Sequence, residues 1–89
     1  MAKSFVLHIH TPAKTIFSGN VTSIVVPGAD GYLGVLAEHA PLISALKDGT
    51  VTTHDDAGIT TSYRLKGRGF LEVLNNNAIL LLDSAEPVI

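Results

Sequence analysis

The chain contains no cysteine and no tryptophan, and it carries only six Lys/Arg against eight Asp/Glu in 89 residues. Without cysteine there is no disulfide framework, no thiolate nucleophile and no Cys-based zinc or iron–sulfur site, which matches a reducing compartment. A formal net charge of −2 lacks the clustered positive charge that a phosphate backbone demands, so nucleic-acid binding is excluded as a reading. The longest apolar run, Ala78 to Leu82, falls far short of the ~20 residues of a membrane-spanning helix. The opening stretch, Phe5-Val-Leu-His-Ile-His, is interrupted by histidines and has no small-residue cleavage pattern, so it does not read as a signal peptide. The expectation is a soluble cytosolic chain.

What is present is aliphatic. Apolar residues make up 46% of the chain and charged residues 16%, which excludes a disordered chain of low hydrophobicity and high charge. Aromatic residues are only 6%, so the core must be built from Val, Leu and Ile. A chain of this length forms one small domain and buries only roughly 60 to 65% of the surface its unfolded form exposes. Spare apolar surface is therefore expected, available for a partner to cover.

Eight glycines and four prolines punctuate the chain at short intervals and leave few windows for a long helix. Phe5, Leu7 and Ile9 alternate with Val6, His8 and His10, the period-two pattern of a half-buried strand. Further short strands are expected over 16–17, 21–26 and 31–36, separated by Ser18-Gly19-Asn20 and by Pro27-Gly28-Ala29-Asp30. Asp30-Gly31 is a favoured tight-turn pair. Pro41 interrupts the one helix-like window, so 42–47 reads as a strand. A strand over 50–54, a turn at Asp55-Asp56-Ala57-Gly58 and an alternating strand over 59–65 follow. Gly67-Arg68-Gly69 suggests a bulge or bend; strands over 70–74 and 78–83 flank a turn at Asn75-Asn76-Asn77. Strands about every eight to twelve residues define an all-β fold, a flattened sandwich or barrel. The domain is expected over 1–84, with 85–89 as a short tail because Pro87 discourages a helix there.

Chemistry is weakly represented. His8 and His10 share one face of a strand and offer two imidazoles to a metal or small ligand, with His39, His54 or a carboxylate as a third group. The plainer reading is that they line a polar or contact-forming face, since no ligand spacing supports a metal independently. There is no nucleophile elbow, and no catalytic residue is assigned. Gly28, Gly31 and Gly34 are spaced three apart, but they match no nucleotide-binding fingerprint and read as turn residues. Asn20-Val21-Thr22 fits the glycosylation pattern, a signal too short to use. The residues alone indicate a binding or assembly module.

Ordered motifs carry this further. Thr11-Pro12 with Lys14, Ile16-Phe17-Ser18-Gly19, and the run Pro27-Gly28-Ala29-Asp30-Gly31-Tyr32-Leu33-Gly34-Val35-Leu36 are followed by His39-Ala40-Pro41-Leu42. Then come Leu46-Lys47-Asp48-Gly49, Gly69-Phe70-Leu71-Glu72-Val73 and Asp83-Ser84-Ala85-Glu86. In this order they resemble the N-terminal domain of the epsilon subunits of F-type ATP synthases. The resemblance implies a flattened sandwich of about ten strands and a non-catalytic place in the central stalk, bound to the gamma subunit and the c-ring, with no cofactor. It implies a location peripheral to the membrane, on the cytoplasmic face of the bacterial inner or plasma membrane or its organellar equivalent. Ala29, Asp30, Gly31 and Tyr32 correspond to the family's c-ring loop. Thr11, His39, Ala40, Pro41, Leu42 and Ser44 correspond to its gamma-facing surface. Arg68 departs from the family, standing where a glycine is usual, so the bend before Phe70 is expected to rest on Gly67 and Gly69. The family's C-terminal helical hairpin is absent from this sequence, so rotor coupling is expected without autoinhibition by that hairpin.

Overall fold

The computed structural model describes residues 3–88. Met1, Ala2 and Ile89, the ends of the expected domain and tail, lie outside the described residues. The described chain is all β: β1 (Phe5–His10), β2 (Thr15–Val21), β3 (Ser23–Gly28), β4 (Gly31–Leu36), β5 (Leu42–Leu46), β6 (Gly49–His54), β7 (Thr60–Leu65), β8 (Gly69–Leu74), β9 (Asn77–Leu82) and β10 (Ala85–Pro87). The strands hydrogen-bond in the order β10-β7-β6-β3-β5-β8-β9-β1-β2, with β4 on the other side of β3. β3 is the corner. Its first half pairs with β6, while its end meets β5 at Gly28–Leu46. The sheet thus folds into two layers in a nearly closed, barrel-like sandwich with extents of 35 × 28 × 22 Å.

Alternation along each strand builds the core. Leu7 and Ile9 from β1, Leu71 from β8 and Leu80 from β9 face Ile24 and Val26 from β3, Val51 from β6 and Leu65 from β7, all fully buried. Thr53 is the buried polar side chain in this set, and its hydroxyl donates to the Thr61 carbonyl at 3.3 Å. The interior is neutral and mostly aliphatic, as the scarcity of aromatic and charged residues predicts, with Phe5 and Tyr63 as its buried aromatic side chains.

Three expectations change. Ser18, Gly19 and Asn20 do not separate strands; they continue β2, opposite His8, Leu7 and Val6. The six-residue β1 offers a full ladder of partners, which outweighs the turn preference of Gly and Asn. The break falls instead at Thr22, whose amide donates to the His54 carbonyl at 2.7 Å. Secondly, residues 85–87 of the expected tail form β10, antiparallel to β7. Pro87 is tolerated there because an edge strand leaves its missing N–H on the solvent side. Thirdly, the turn expected at Pro27–Asp30 shortens to Ala29-Asp30, because Pro27 and Gly28 remain in β3 opposite Tyr32 and Gly31.

Gly67 and Gly69 shape the bend around Arg68. Gly67 takes the left-handed conformation at φ 97° and donates its amide to Asp48 Oδ1. A Cβ on Gly69 would sit 2.7 Å from a Leu82 methyl and 2.9 Å from the Leu81 carbonyl oxygen, so Gly69 is needed for close approach. Arg68 itself has no positive φ and donates its amide to Asp83 Oδ2 at 2.8 Å.

Candidate functional site

The two outer faces of the sandwich differ chemically. Over β6 and β7 the outward side chains are Thr50, Thr52, His54, Thr60, Ser62 and Arg64, paired across the strands. Two of these pairs are in polar contact: Thr60 Oγ1 lies 2.8 Å from His54 Nδ1, and the Thr52 and Ser62 hydroxyls lie 3.5 Å apart. Over β5, β8, β9 and β1 the outward face is largely apolar. Register places Ala45, Phe70, Leu81 and His10 in one row, and Ile43, Glu72, Ile79 and His8 in the next. Ile43 is 75% exposed, Phe70 56%, Leu81 52% and Leu74 49%. These side chains share a face by strand alternation, so they form a contiguous patch rather than scattered exposures.

The residues singled out from sequence surround this patch. Pro41 and Leu42 border it at the start of β5, beside Leu74, and Thr11 borders it at the far end, beside Phe70 and Leu81. Ala29, Asp30, Gly31 and Tyr32 lie past the β5 edge, sharing a shallow hollow with Ile43, Ser44 and Ala45. Of the outward positions on β5, β8, β9 and β1, His8 and His10 were singled out from sequence, as candidate ligands and not as part of an apolar face; the others were not. Two of the assigned side chains point inward: Leu42 and Ser44 lie opposite the buried Val73 and Leu71, and Leu42 packs against the core.

The loop carrying His39, Ala40 and Pro41 is positioned by a side chain that the sequence reading treated only as a turn residue. Asn75 and Asn76 turn between β8 and β9 in the left-handed region, at φ 51° and 61°. The Asn76 side chain accepts the Glu38 amide at 2.7 Å and donates to the Ser4 carbonyl at 3.0 Å, tying three segments together. Glu38 also sits at φ 63° and pairs with Lys3. The hydrogen bond and then the charge of this pair raise the Lys3 pKa and lower that of Glu38, though both groups are solvent-exposed. His39 Nδ1 lies 2.8 Å from the Ala40 carbonyl, so an Nδ1–H donates there and fixes the ring. Asn76→Gly keeps the turn conformation while deleting both side-chain bonds; unfolding in urea should show a loss of ~1–2 kcal/mol. A loss below about 0.3 kcal/mol would contradict the clamp.

The Ala29–Tyr32 turn is braced from below. Its Ala29 amide donates to the Ala45 carbonyl, and the Lys47 amide donates to Pro27, each at 2.9 Å. Gly31 takes φ 135° with open space where a Cβ would be, so its role is conformational. Tyr32 is 58% exposed, yet its hydroxyl accepts the Thr50 amide at 3.0 Å. The side chain is thereby tied to the start of β6 while staying more than half exposed. A Cβ on Gly49 would come 2.6 Å from Pro27 Cβ and 2.7 Å from that hydroxyl, which is why glycine precedes Thr50.

His8 and His10 stack with centroids 5.9 Å apart and planes within 5° of parallel. Nδ1 of His8 lies 2.8 Å from Ser18 Oγ, and Nδ1 of His10 lies 3.0 Å from Thr15 Oγ1. Nearly parallel stacked rings direct their nitrogen lone pairs along separate planes, not at a common point. Among the described residues no group of three His, Asp or Glu side chains is placed to hold a metal ion. The pair is better suited to lining the apolar face.

This architecture defines a small β-sandwich whose outer surface is hydroxylated over β6 and β7 and largely apolar over β5, β8, β9 and β1, the surface of an assembly module. The family profile for the ATP synthase, Delta/Epsilon chain, beta-sandwich domain matches residues 4–88, and the chain belongs to that family. It is 46% identical over 86 residues to the ATP synthase epsilon chain of Desulforamulus reducens, covering 97% of this chain and 64% of that protein. It is also 46% identical to the epsilon chain of Chlorobium limicola, over 91% of both chains. The chain therefore spans somewhat under two thirds of some relatives and most of others. The fold matches a chain of the Euglena gracilis mitochondrial ATP synthase, OSCP/F1/c-ring, with TM-score 0.88 and 22% identity over 94% of this chain and 53% of that one. It also matches a chain of the Tetrahymena thermophila ATP synthase central stalk/c-ring, with TM-score 0.76 and 12% identity over 94% of this chain and 66% of that one. Among the described residues no helix is long and apolar enough to cross a membrane.

Proposed function

We propose that this domain is a non-catalytic coupling element of the ATP synthase central stalk, holding the gamma subunit against its apolar face and the c-ring against the Ala29–Tyr32 turn. The observation that carries this reading is the asymmetry between the two outer faces. Covering Ile43, Phe70, Leu74, Ile79 and Leu81 removes apolar surface from water, whereas covering the Thr/Ser face displaces hydration for little gain. A rotor joint has to resist torque, which calls for a packed apolar centre with a polar rim and a total area above ~1,200 Å². Thr11 borders the patch at one end, and Pro41, which follows His39 and Ala40 in the chain, borders it at the other.

The braced turn has a different character. Asp30 is exposed at its tip and Tyr32 presents a fixed ring, a pairing of charge and amphipathic surface that fits polar loops bearing a cation. Proton-driven rotation of the ring would pass through this contact to gamma. The assembly would lie peripheral to the membrane, on the cytoplasmic face of a bacterial inner membrane.

Separate titrations onto the cognate catalytic assembly of alpha, beta and gamma subunits, written α3β3γ, and onto the purified c-ring test both contacts. Tyr32→Ala should weaken ring binding about tenfold while leaving gamma binding within about twofold. Tyr32→Phe, which loses only the hydroxyl's bond to Thr50, should retain ring binding and cost ~1 kcal/mol of stability. Undiminished ring attachment by the Ala variant would remove the turn from the contact, and no binding to α3β3γ by the wild-type chain would remove the gamma assignment.

A further inference from the structure

One charge stands inside the apolar patch. Glu72 is an outward residue of β8, with Ile43 directly across on β5 and Ile79 directly across on β9. Along its own strand the nearest residues on the same face are Phe70 and Leu74, two positions away on either side. Four apolar side chains thus box the carboxylate. Among the described residues Glu72 makes no ion pair and no side-chain hydrogen bond, in contrast to Glu38, which pairs with Lys3. In the free domain water solvates it. Under a packed partner surface that water is lost, and an unpaired carboxylate in an apolar contact is strongly unfavourable.

We infer that Glu72 is the specificity anchor of the gamma contact: the partner surface seated on β5, β8, β9 and β1 presents a lysine or arginine, set among apolar side chains, that pairs with Glu72. This rests on the proposed gamma docking and deepens it, since it fixes the chemistry of the opposing surface. An apolar patch alone has little register, because any hydrophobic surface of similar shape fits it. A single buried charge pair penalises every misaligned or non-cognate surface that leaves the carboxylate uncovered. The flanking groups agree with a cationic visitor. Ile43 and Ile79 are uncharged, and no lysine or arginine of this chain pairs across the patch. The nearest titratable side chain on the same row is His8, one strand beyond Ile79, and His10 lies in the adjoining row with Leu81.

The sign of one substitution decides the matter. Glu72→Leu completes the apolar face: opposite an apolar surface it tightens binding, and opposite a cation it leaves that cation buried and unpaired. We expect Glu72→Leu and Glu72→Gln each to weaken binding to the cognate α3β3γ assembly about tenfold, while both retain the wild-type unfolding midpoint because the position is exposed. Leu81→Ala, which removes an apolar contact and no charge, serves as the control for docking itself and should weaken binding about fivefold. If Leu81→Ala weakens binding while Glu72→Leu strengthens it or leaves it unchanged, the anchor is overturned and the docking face stands. If all three variants bind as the wild type does, this face is not the gamma contact and both readings fall.

Discussion

Leu80→Ala is expected to lower the unfolding free energy by ~2–5 kcal/mol, the range for truncating a fully buried leucine whose neighbours cannot close the gap. Leu80 has no exposed surface and lies in register between Leu71 of β8 and Ile9 of β1, both equally buried. Central strands flank it on both sides, so collapse around the cavity would require moving backbone that is hydrogen-bonded twice over. A domain of this size has of the order of 5–13 kcal/mol in total, so the change removes a large share of its stability. In urea the midpoint should fall by at least about 1 M. The adjacent Leu81→Ala should change stability by less than about 1 kcal/mol, because that side chain is half exposed on the outer face. Similar losses at both positions would contradict the assignment of inner and outer faces.

Phe70→Asp addresses the outer face with the second large effect. It removes the largest apolar side chain of the patch and puts a second carboxylate two residues from Glu72 on the same face. Binding to the cognate α3β3γ assembly should fall more than about 100-fold, equivalent to ~2.7 kcal/mol, which is within the range of a central aromatic anchor replaced by an unpaired charge. The fold should survive, since Phe70 is more than half exposed and its neighbours Gly69 and Leu71 carry the inward contacts. Binding reduced by less than about threefold would mean that gamma does not cover this face.

Much of the fold was legible because alternation is a local property. The spacing of Phe5, Leu7 and Ile9, the Asp55–Gly58 turn and the asparagine turn before β9 each follow from a few adjacent residues. In the Asp55 turn, Asp55 Oδ1 accepts the amides of Ala57 and Ile59, each at 2.9 Å, as an Asp at a turn start is suited to do. What was not legible depends on distant partners. Ser18–Asn20 looks like a loop until the length of β1 is available to pair with it, and Ala85–Pro87 becomes a strand only because β7 has an open edge.

The same limit applies to the site. Composition announced surplus apolar surface, but β8 and β9 have apolar residues on both faces, so their alternation does not say which side is covered by the second layer. Ile79 and Leu81 read like Ala78 and Leu80 in sequence; only topology makes one pair outward and the other core. A run such as Ala78–Leu82, apolar throughout in a sandwich with a single core, is itself a signal that one face awaits another surface. Asn76 shows the reverse case. Its turn role is local and readable, whereas its clamp on Glu38 and Ser4 spans 38 and 72 residues of sequence.

The absence of cysteine from the chain allows a direct measurement of the docking face. Leu81→Cys places a single thiol within the patch, and Asp56→Cys places one at the tip of the β6–β7 turn, away from it. Both should react readily with a maleimide in the free domain. In the domain assembled on its cognate α3β3γ and c-ring complex, the thiol at position 81 should be protected while the thiol at position 56 remains reactive. Equal reactivity of the two thiols in the assembled complex would contradict the assignment of the β5-β8-β9-β1 face to the stalk.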